Sequence, residues 1–364
     1  LSPSSAASDV YKRQPLEACP SVSVLVPARN EEDNLPGCLD SLLLQDYPNY
    51  EVIVLDDNSE DGTWDLIRDY SARSEKVRAL KGEPLPEGWH GKHWACHQLA
   101  QEARGELLLF VDADTRLSSP EALRKAVSAL LYHGADMLTG IPREEALTLG
   151  ELLIIPVIPW ALSSLLPVKL AHRSRRPELS AGIGQFMLFR REAYEGVGGH
   201  EAVRQIATDD MALAFLMKAK GYRWRFLDLS RGVRCRMYRG FRKALWGLTR
   251  QVFPALGYSW VAVGSVAFAV GSWLFAPLAT LGLGFLKWPV PSVYFKLSLA
   301  SLGLSWASWS LAVVRWSYPA LAHLFFPVSL SLTWLSVLRS ACAYATGRVA
   351  WRGRALKIPK GTKL

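Results

Sequence analysis

"GELLLFVDADTRLSS", residues 105–119, is the stretch on which the fold turns. Leu107 to Val111 has the length and apolar character of a buried strand. It runs straight into Asp112 and Asp114, two carboxylates one residue apart. Packing alone does not put two like charges at the end of a core strand, because burying an unpaired charge is costly. A cation between them resolves the conflict. Mg2+ or Mn2+ suits such a place, since these ions take few protein carboxylates and complete their shell with water and phosphate oxygens.

The same grammar precedes this stretch. "SVSVLVPA" (21–28) and "EVIVLDD" (51–57) read as buried strands, and "KVRALKG" (76–82) as a shorter one. Helical patterns separate them at 31–46, 61–73 and 92–103. Strand and helix in alternation predict an α/β fold with a parallel sheet and right-handed crossovers. Pro27 to Glu31, Asp56 with Asp57, and Asp112 with Asp114 then fall at the carboxyl ends of successive strands. That edge is where open α/β sheets bind ligands. Further on, 119–134 reads as a helix with Ser119 as its N-cap and Pro120 in first position. Residues 184–199 read as strand, helix and turn. Residues 208–221 read as a helix with Asp209 and Asp210 in its first turn and Gly221 at its end.

Near residue 255 the chain changes solvent. Residues 257–286, 294–314 and 320–345 are almost unbrokenly apolar, and about 20 residues suffice for one membrane crossing. The first stretch is long enough for one tilted helix or a hairpin. A basic tail prefers the cytoplasm, so four crossings, with 257–286 as a hairpin, are preferred to three. "GELLIIPVIPWALSSLLPVKLAH" (150–172) carries Pro156, Pro159 and Pro167, which argue against a regular span; it is expected to lie in the membrane interface. The expected organisation is a leader (1–15), a catalytic domain (16–240), a juxtamembrane basic helix (241–256), the membrane helices (257–347) and a basic cytoplasmic tail (348–364). The opening "LSPSSAASDVYKRQ" lacks the apolar core of a signal peptide. It resembles translated adapter sequence, on which reading the natural N-terminus, and with it any N-terminal anchor, lies outside the sequence given.

Composition agrees with a soluble domain joined to membrane segments. Half of the residues are hydrophobic and 14 are Trp; the mean hydropathy is +0.09. The net charge of +9 is local. Lys218, Lys220, Arg223, Arg225, Arg231, Arg234, Arg236, Arg239, Arg242 and Lys243 are interrupted by one acid, Asp228. A second basic cluster runs from His172 to Arg176, and a third forms the tail. These clusters adjoin apolar segments, which favours anionic headgroups and phosphorylated substrates over nucleic acid. The cysteines at 19, 38, 96, 235 and 342 make no CxxC pair, which excludes a disulfide framework or zinc site of that type. His93 and His97 stand at i, i+4 without the intervening Glu of a zinc protease helix. "EGVGGH" (195–200) follows a helix rather than a strand, so it is not read as a phosphate loop.

"VSVLVPARNEEDNL" (22–35), "VIVLDDNSEDGT" (52–63), "GKHWACHQLAQEARGELLLFVDADT" (91–115) and "ATDDMALAFLMKAKGYR" (207–223), in this order, resemble the successive motifs of family 2 glycosyltransferases. "GKHWAC", "RMYRGFRKALWG" (236–247) and the apolar C-terminal third further resemble the membrane-bound branch that glycosylates lipids, such as carotenoid, hopanoid-associated and ceramide glycosyltransferases. The resemblance implies a GT-A fold, a Rossmann-like nucleotide-sugar-binding sheet with helices on both faces, followed by a transmembrane helical region. It implies a nucleotide-sugar donor, UDP-glucose by default, a lipid acceptor, and an integral membrane enzyme with its catalytic domain on the cytoplasmic face. Pro27, Ala28, Arg29 and Glu31 would surround the base. Asp56 would accept a hydrogen bond from uracil, with Asp57 beside it. Lys92 would contact the diphosphate. Asp112 would touch ribose or metal, and Asp114 would ligate Mg2+ or Mn2+. Asp210 would be the general base, with Asp209 its catalytic neighbour. Apart from the resemblance, Gln185 and His200 carry two readings of equal weight, facing the acceptor or a structural role. Processive members carry Q-x-x-R-W before the membrane helices. Here "RMYRGFRKALWGLTRQ" offers only Arg239, Arg242 and Trp246, which favours transfer of a single sugar.

Overall fold

The computed structural model describes residues 19–351, 354–355 and 358. The expected leader (1–15) and most of the expected tail (348–364) lie outside them. The strands in chain order are β1 (Val22–Ala28), β2 (Tyr50–Asp56), β3 (Val77–Lys81), β4 (Leu107–Val111), β5 (Thr115–Leu117), β6 (Met137–Ile141), β7 (Arg143–Glu144), β8 (Phe186–Arg190), β9 (Trp224–Asp228) and β10 (Val233–Cys235). Two compact units emerge: the described residues up to Arg143 with Val168–Arg236, and Glu144–Pro167 with the described residues from Met237 onward.

The first unit is built on a seven-stranded sheet ordered β3-β2-β1-β4-β8-β6-β9. Its first four strands are parallel, as their pattern predicts. The second half departs from the all-parallel expectation, because β8 runs antiparallel to both β4 and β6. The reversal has a consequence for the site. Phe186, the first residue of β8, pairs with Val111, the last of β4. The residues just before β8 therefore arrive at the strand end that carries Asp112. A strand entering parallel would have delivered its far end there instead.

Helices cover both faces, as the alternation of side chains along each strand requires. Val22, Val24 and Val26 join Val52, Val54, Leu107 and Leu109 on one face, against Leu35, Leu39 and Leu42 of the helix Leu35–Leu43 and Leu123, Val127 and Leu130 of the helix Ala122–Tyr132. The opposite side of β4 presents Phe110 to Tyr194 and His200, with ring centroids at 5.3 and 4.8 Å. Each fully buried aliphatic side chain contributes about 1.5–3 kcal/mol. The helix expected from Ser119 begins two residues late. The Ser119 carbonyl instead accepts the Ala122 N–H in a turn at 3.1 Å, and Glu121 stands at the N-cap.

The second unit gathers the apolar segments. Among the described residues three helices are long and apolar enough to cross a membrane, Trp260–Phe285, Ser292–Arg315 and Ala320–Ala345. The expected hairpin over 257–286 is not formed, because the chain stays helical through it. Pro277 cannot donate to the carbonyl one turn back. A π turn over Gly271–Phe275 absorbs the defect, and the Trp273 carbonyl accepts from the Ser301 hydroxyl at 3.4 Å. The segment expected at 150–172 within the catalytic domain is divided. Its short helices Leu149–Leu152 and Val157–Leu165 pack with Leu274, Trp309 and Phe326 of the long helices. Trp160 Nε1 donates to Ser308 Oγ at 3.2 Å. Only Val168–Arg173 belongs to the sheet unit.

Candidate active site

At the end of β1 the loops after β1 and β2 are zipped together. The Asp57 N–H donates to the Ala28 carbonyl at 2.8 Å. Arg29 Nη1 donates to the Asp57 carbonyl at 2.8 Å. The Asn30 N–H meets Ser59 Oγ at 2.9 Å, and the Glu31 N–H meets Thr63 Oγ1 at 2.8 Å. Asn30 can take this path because it adopts φ +53°, which Asn tolerates. Pro27, Ala28, Arg29, Glu31, Asp56 and Asp57 are thus brought to one edge, as expected from sequence. Asp56 is wholly buried. It receives the Ser59 N–H at 3.2 Å on Oδ1 and Lys81 Nζ at 2.6 Å on Oδ2. Lys81 lies over the Trp64 ring at 4.7 Å, a partner that nothing in the sequence pattern singles out.

Beyond β4 the geometry tightens around a glycine. Lys92 Nζ lies 2.6 Å from Asp112 Oδ1, and the Gly184 N–H donates to Asp210 Oδ2 at 3.0 Å. A methyl group placed on Gly184 would lie 3.0 Å from Lys92 Nζ, 3.6 Å from Asp210 Oδ2 and 3.7 Å from Asp112 Oδ2. One cation and two carboxylates from three separate elements therefore converge on a residue with no side chain. Gly182 is needed for the same approach, since its Cβ would fall 2.0 Å from the Asp210 carbonyl oxygen. Neither glycine is singled out by the sequence reading. The alternation in "SAGIGQ" (180–185) is the available signal. Gln185 is buried beside them.

Electrostatics separate the acids. Burial would weaken the Lys92 ammonium, but Asp112 and Asp209 hold its pKa well above the ordinary lysine value. Burial, then the charges of Asp112 and Glu31, raise Asp114 to about 7. Burial, then the charge of Asp209, raises Asp210 to about 6. Asp209 goes the other way: Lys92, His93 and His200 overcome its burial and hold it well below the usual carboxylate range. The two neighbours at the helix start thus face different surroundings. Asp210 is turned to Gly184. Asp209 is buried, with Oδ1 3.6 Å from His93 Nε2 and Oδ2 3.4 Å from His200 Nε2.

A divalent cation fits the residues present. Burial and the charges of Asp112 and Glu31 raise the proton affinity of Asp114, and Lys92 is already engaged by Asp112. No group of three or more His, Cys, Asp or Glu converges as a metal cage among the described residues. A site of two carboxylates completed by phosphate oxygens and water matches the habit of Mg2+. His200 does not face an acceptor, because it is fully buried against Phe110 and Tyr194. Arg239, Arg242 and Trp246 belong to the second unit. All three are exposed, Arg242 and Trp246 on the helix Phe241–Ala255 and Arg239 just before it.

This fold and edge define a GT-A-type transferase sheet. Its overall path matches the mannosyltransferase PcManGT from Pyrobaculum calidifontis, solved in complex with GDP-Man and Mn2+, with a TM-score of 0.55 over 93% of this chain and 92% of that one at 18% identity. Residues 23–198 match the model of glycosyl transferase family 2, and the chain therefore carries a family 2 glycosyltransferase domain. It is 36% identical to the 4,4'-diaponeurosporenoate glycosyltransferase of Staphylococcus haemolyticus over 32% of this chain and 30% of that protein. It is 28% identical to the beta-monoglucosyldiacylglycerol synthase of Trichormus variabilis over 56% of this chain and 42% of that protein. The chain thus spans less than half the length of either relative. The Staphylococcus aureus 4,4'-diaponeurosporenoate glycosyltransferase matches more broadly, at 24% identity over 72% of this chain and 68% of that protein.

Proposed function

We propose that this chain is an inverting, metal-dependent glycosyltransferase that moves a hexose from a nucleotide sugar to a hydroxyl or carboxyl of a membrane lipid, one sugar at a time. The observation that carries the reading is the convergence of Lys92, Asp112 and Asp210 on Gly184. Asp210 takes the proton of the acceptor hydroxyl. The freed oxygen forms a bond to the anomeric carbon as the bond from that carbon to the diphosphate oxygen breaks. The nucleoside diphosphate leaves with the bonding electron pair, and Lys92 faces the charge that develops on it. A divalent cation on Asp112 and Asp114 would supply further charge neutralisation to the departing diphosphate. A single displacement inverts the anomeric centre and needs no covalent glycosyl-enzyme.

The lipid acceptor is supported by the relatives' names, a diaponeurosporenoate glycosyltransferase and a monoglucosyldiacylglycerol synthase, and by three helices fit to cross a membrane. UDP-glucose is the first donor to offer, on the family resemblance. The broken Q-x-x-R-W pattern supports single transfer, and the catalytic unit is assigned to the cytoplasmic face, where nucleotide sugars are made. The test is transfer by the detergent-purified chain from UDP-glucose, UDP-galactose, UDP-GlcNAc or GDP-mannose to a pool of bacterial lipids. A glycolipid that forms without EDTA, and fails with EDTA, with Asp114→Ala or with Asp210→Asn, supports the proposal. Folded protein that binds nucleotide but transfers no sugar from any donor rejects it.

A further inference from the structure

The reading of Asp210 as base leaves Asp209 without a task, yet Asp209 sits in a buried polar network of the sheet unit. Its carboxylate is buried and lies between two imidazoles, at 3.6 Å from His93 and 3.4 Å from His200. Asp209 Oδ2 and His200 Nε2 have no hydrogen-bond partner of ideal geometry, and they face each other. Each imidazole is held from behind. His200 Nδ1 lies 2.7 Å from the Tyr194 hydroxyl, which also receives the His200 backbone N–H at 3.1 Å. The Tyr194 O–H then donates a hydrogen bond to an unprotonated Nδ1, and the neutral tautomer that fits carries its proton on Nε2, toward Asp209. His93 Nδ1 lies 3.4 Å from the Arg204 carbonyl, and its ring stacks on His90 at 5.1 Å. The glycines of "GVGGH" make the arrangement possible. Gly198 and Gly199 adopt φ +88° and +51°, a left-handed path that turns His200 into the core and leaves room for the Tyr194 ring, 2.7 Å from where a Gly199 Cβ would stand.

We infer that Asp209 is a positioning residue: a fixed buried charge, held by His93 and His200, that orients the helix start carrying Asp210 and strengthens Asp210 as a base. Three elements support it. His93 adjoins Lys92 on the helix Gly91–Glu102, His200 rests on β4 through Phe110, and Asp209 opens the helix Asp209–Ala219. The network therefore ties together the elements that carry Lys92, Asp112 and Asp210. The Asp209 carboxylate is spent between the two imidazoles, whereas Asp210 Oδ2 is turned to Gly184, which favours Asp210 over Asp209 as the proton acceptor. The groups facing Asp210 are Lys92, Asp112 and Asp209, with the N–H groups of Gly184 and Met211 on its oxygens at 3.0 and 2.7 Å. Those around Asp209 are Lys92, His93 and His200, with His90, Cys96, Asp112 and Tyr194 also within reach of its charge. A negative charge beside Asp210 makes loss of its proton harder and its uptake easier, which is what a base requires.

This inference rests on Asp210 as base, and the test separates the two. Lipid glycosylation by the full chain in detergent is measured across pH for the wild type, Asp210→Asn, Asp209→Asn, His93→Ala and His93→Gln. In Asp209→Asn, kcat at neutral pH is expected to fall about tenfold or more while KM for the nucleotide sugar stays within about twofold. The acid limb of its pH profile moves to lower pH. His93→Ala is expected to lower kcat without raising the donor KM, and His93→Gln, which keeps a donor toward Asp209, to restore it. Because Asp209→Asn can fail to fold, the His93 pair decides alone if it does. An Asp209→Asn enzyme with the wild-type acid limb and rate overturns the inference, as does one dead at every pH, which would make Asp209 itself the base. Wild-type transfer that survives Asp210→Asn overturns the proposed base instead.

Discussion

At the scale of single residues, chemistry depends on which way each acid faces. Asp209 and Asp210 are neighbours in sequence, but one is turned to two imidazoles and the other to Gly184. Asp210→Asn is expected to lower transfer about 100- to 10,000-fold, the usual worth of a general base, with nucleotide binding by calorimetry unchanged. Because Asp210 titrates at about 6, it is a base only when ionised. kcat/KM should therefore rise with pH through about 6 and level off above it, measured by initial rates from pH 4.5 to 8. Gly184→Ala puts a methyl 3.0 Å from Lys92 Nζ. It is expected to cut kcat at least tenfold through misplacement of reacting groups while leaving the melting temperature near that of the wild type. The acids and Lys92 were legible as residue types at strand and helix ends. Gly184 was not, because a glycine shows its purpose only when its neighbours are in place.

At the scale of elements, the first half of the sheet follows its hydrophobic periodicity closely. The second half does not, because periodicity reports which face is buried and not which way a strand runs. The direction of β8 is what carries Gly182 and Gly184 to the end of β4. Gly182→Ala would drive a Cβ to 2.0 Å from the Asp210 carbonyl oxygen, where backbone rather than a flexible side chain must give. We expect a loss of about 1–3 kcal/mol, as for other overpacked sites, seen as a lower melting temperature in detergent together with lost activity. Gly140 faces a similar constraint between β6 and β9, where a Cβ would meet the Leu227 carbonyl at 1.9 Å. Gly140→Ala should destabilise the protein while leaving the residual activity of the folded fraction unchanged. That contrast distinguishes a packing glycine from one at the site.

For the whole molecule, the chain interleaves its two units. It leaves the sheet unit at Glu144, packs Leu149–Leu165 among the long apolar helices, and returns at Val168. Such a path means that neither unit is a contiguous stretch of sequence, so truncation after residue 240 removes the partners of Trp160 and Ser163. Three single crossings by the helices that are long and apolar enough predict that the chain before Trp260 and the chain after Ala345 lie on opposite sides. Reporter tags at the two ends should therefore differ in protease accessibility in sealed vesicles. Equal accessibility would restore the four-crossing reading. Resistance of the full chain to alkaline carbonate extraction is the companion expectation.

Sequence alone determined the quantities that are local or periodic. These are the buried strands with acids at their carboxyl ends, the apolar lengths that suit a bilayer, and the ordered motifs that place the family 2 domain. Hydrophobic spacing and turn chemistry act over a few residues, so they survive in one dimension. Tertiary structure alone decided the direction of β8, the continuous helix through Pro277, the pairing of Lys81 with Asp56, and the division of labour between Asp209 and Asp210. Each of these depends on a partner far away in the chain. Burial and neighbouring charge, which set proton affinity, exist only once those partners have met.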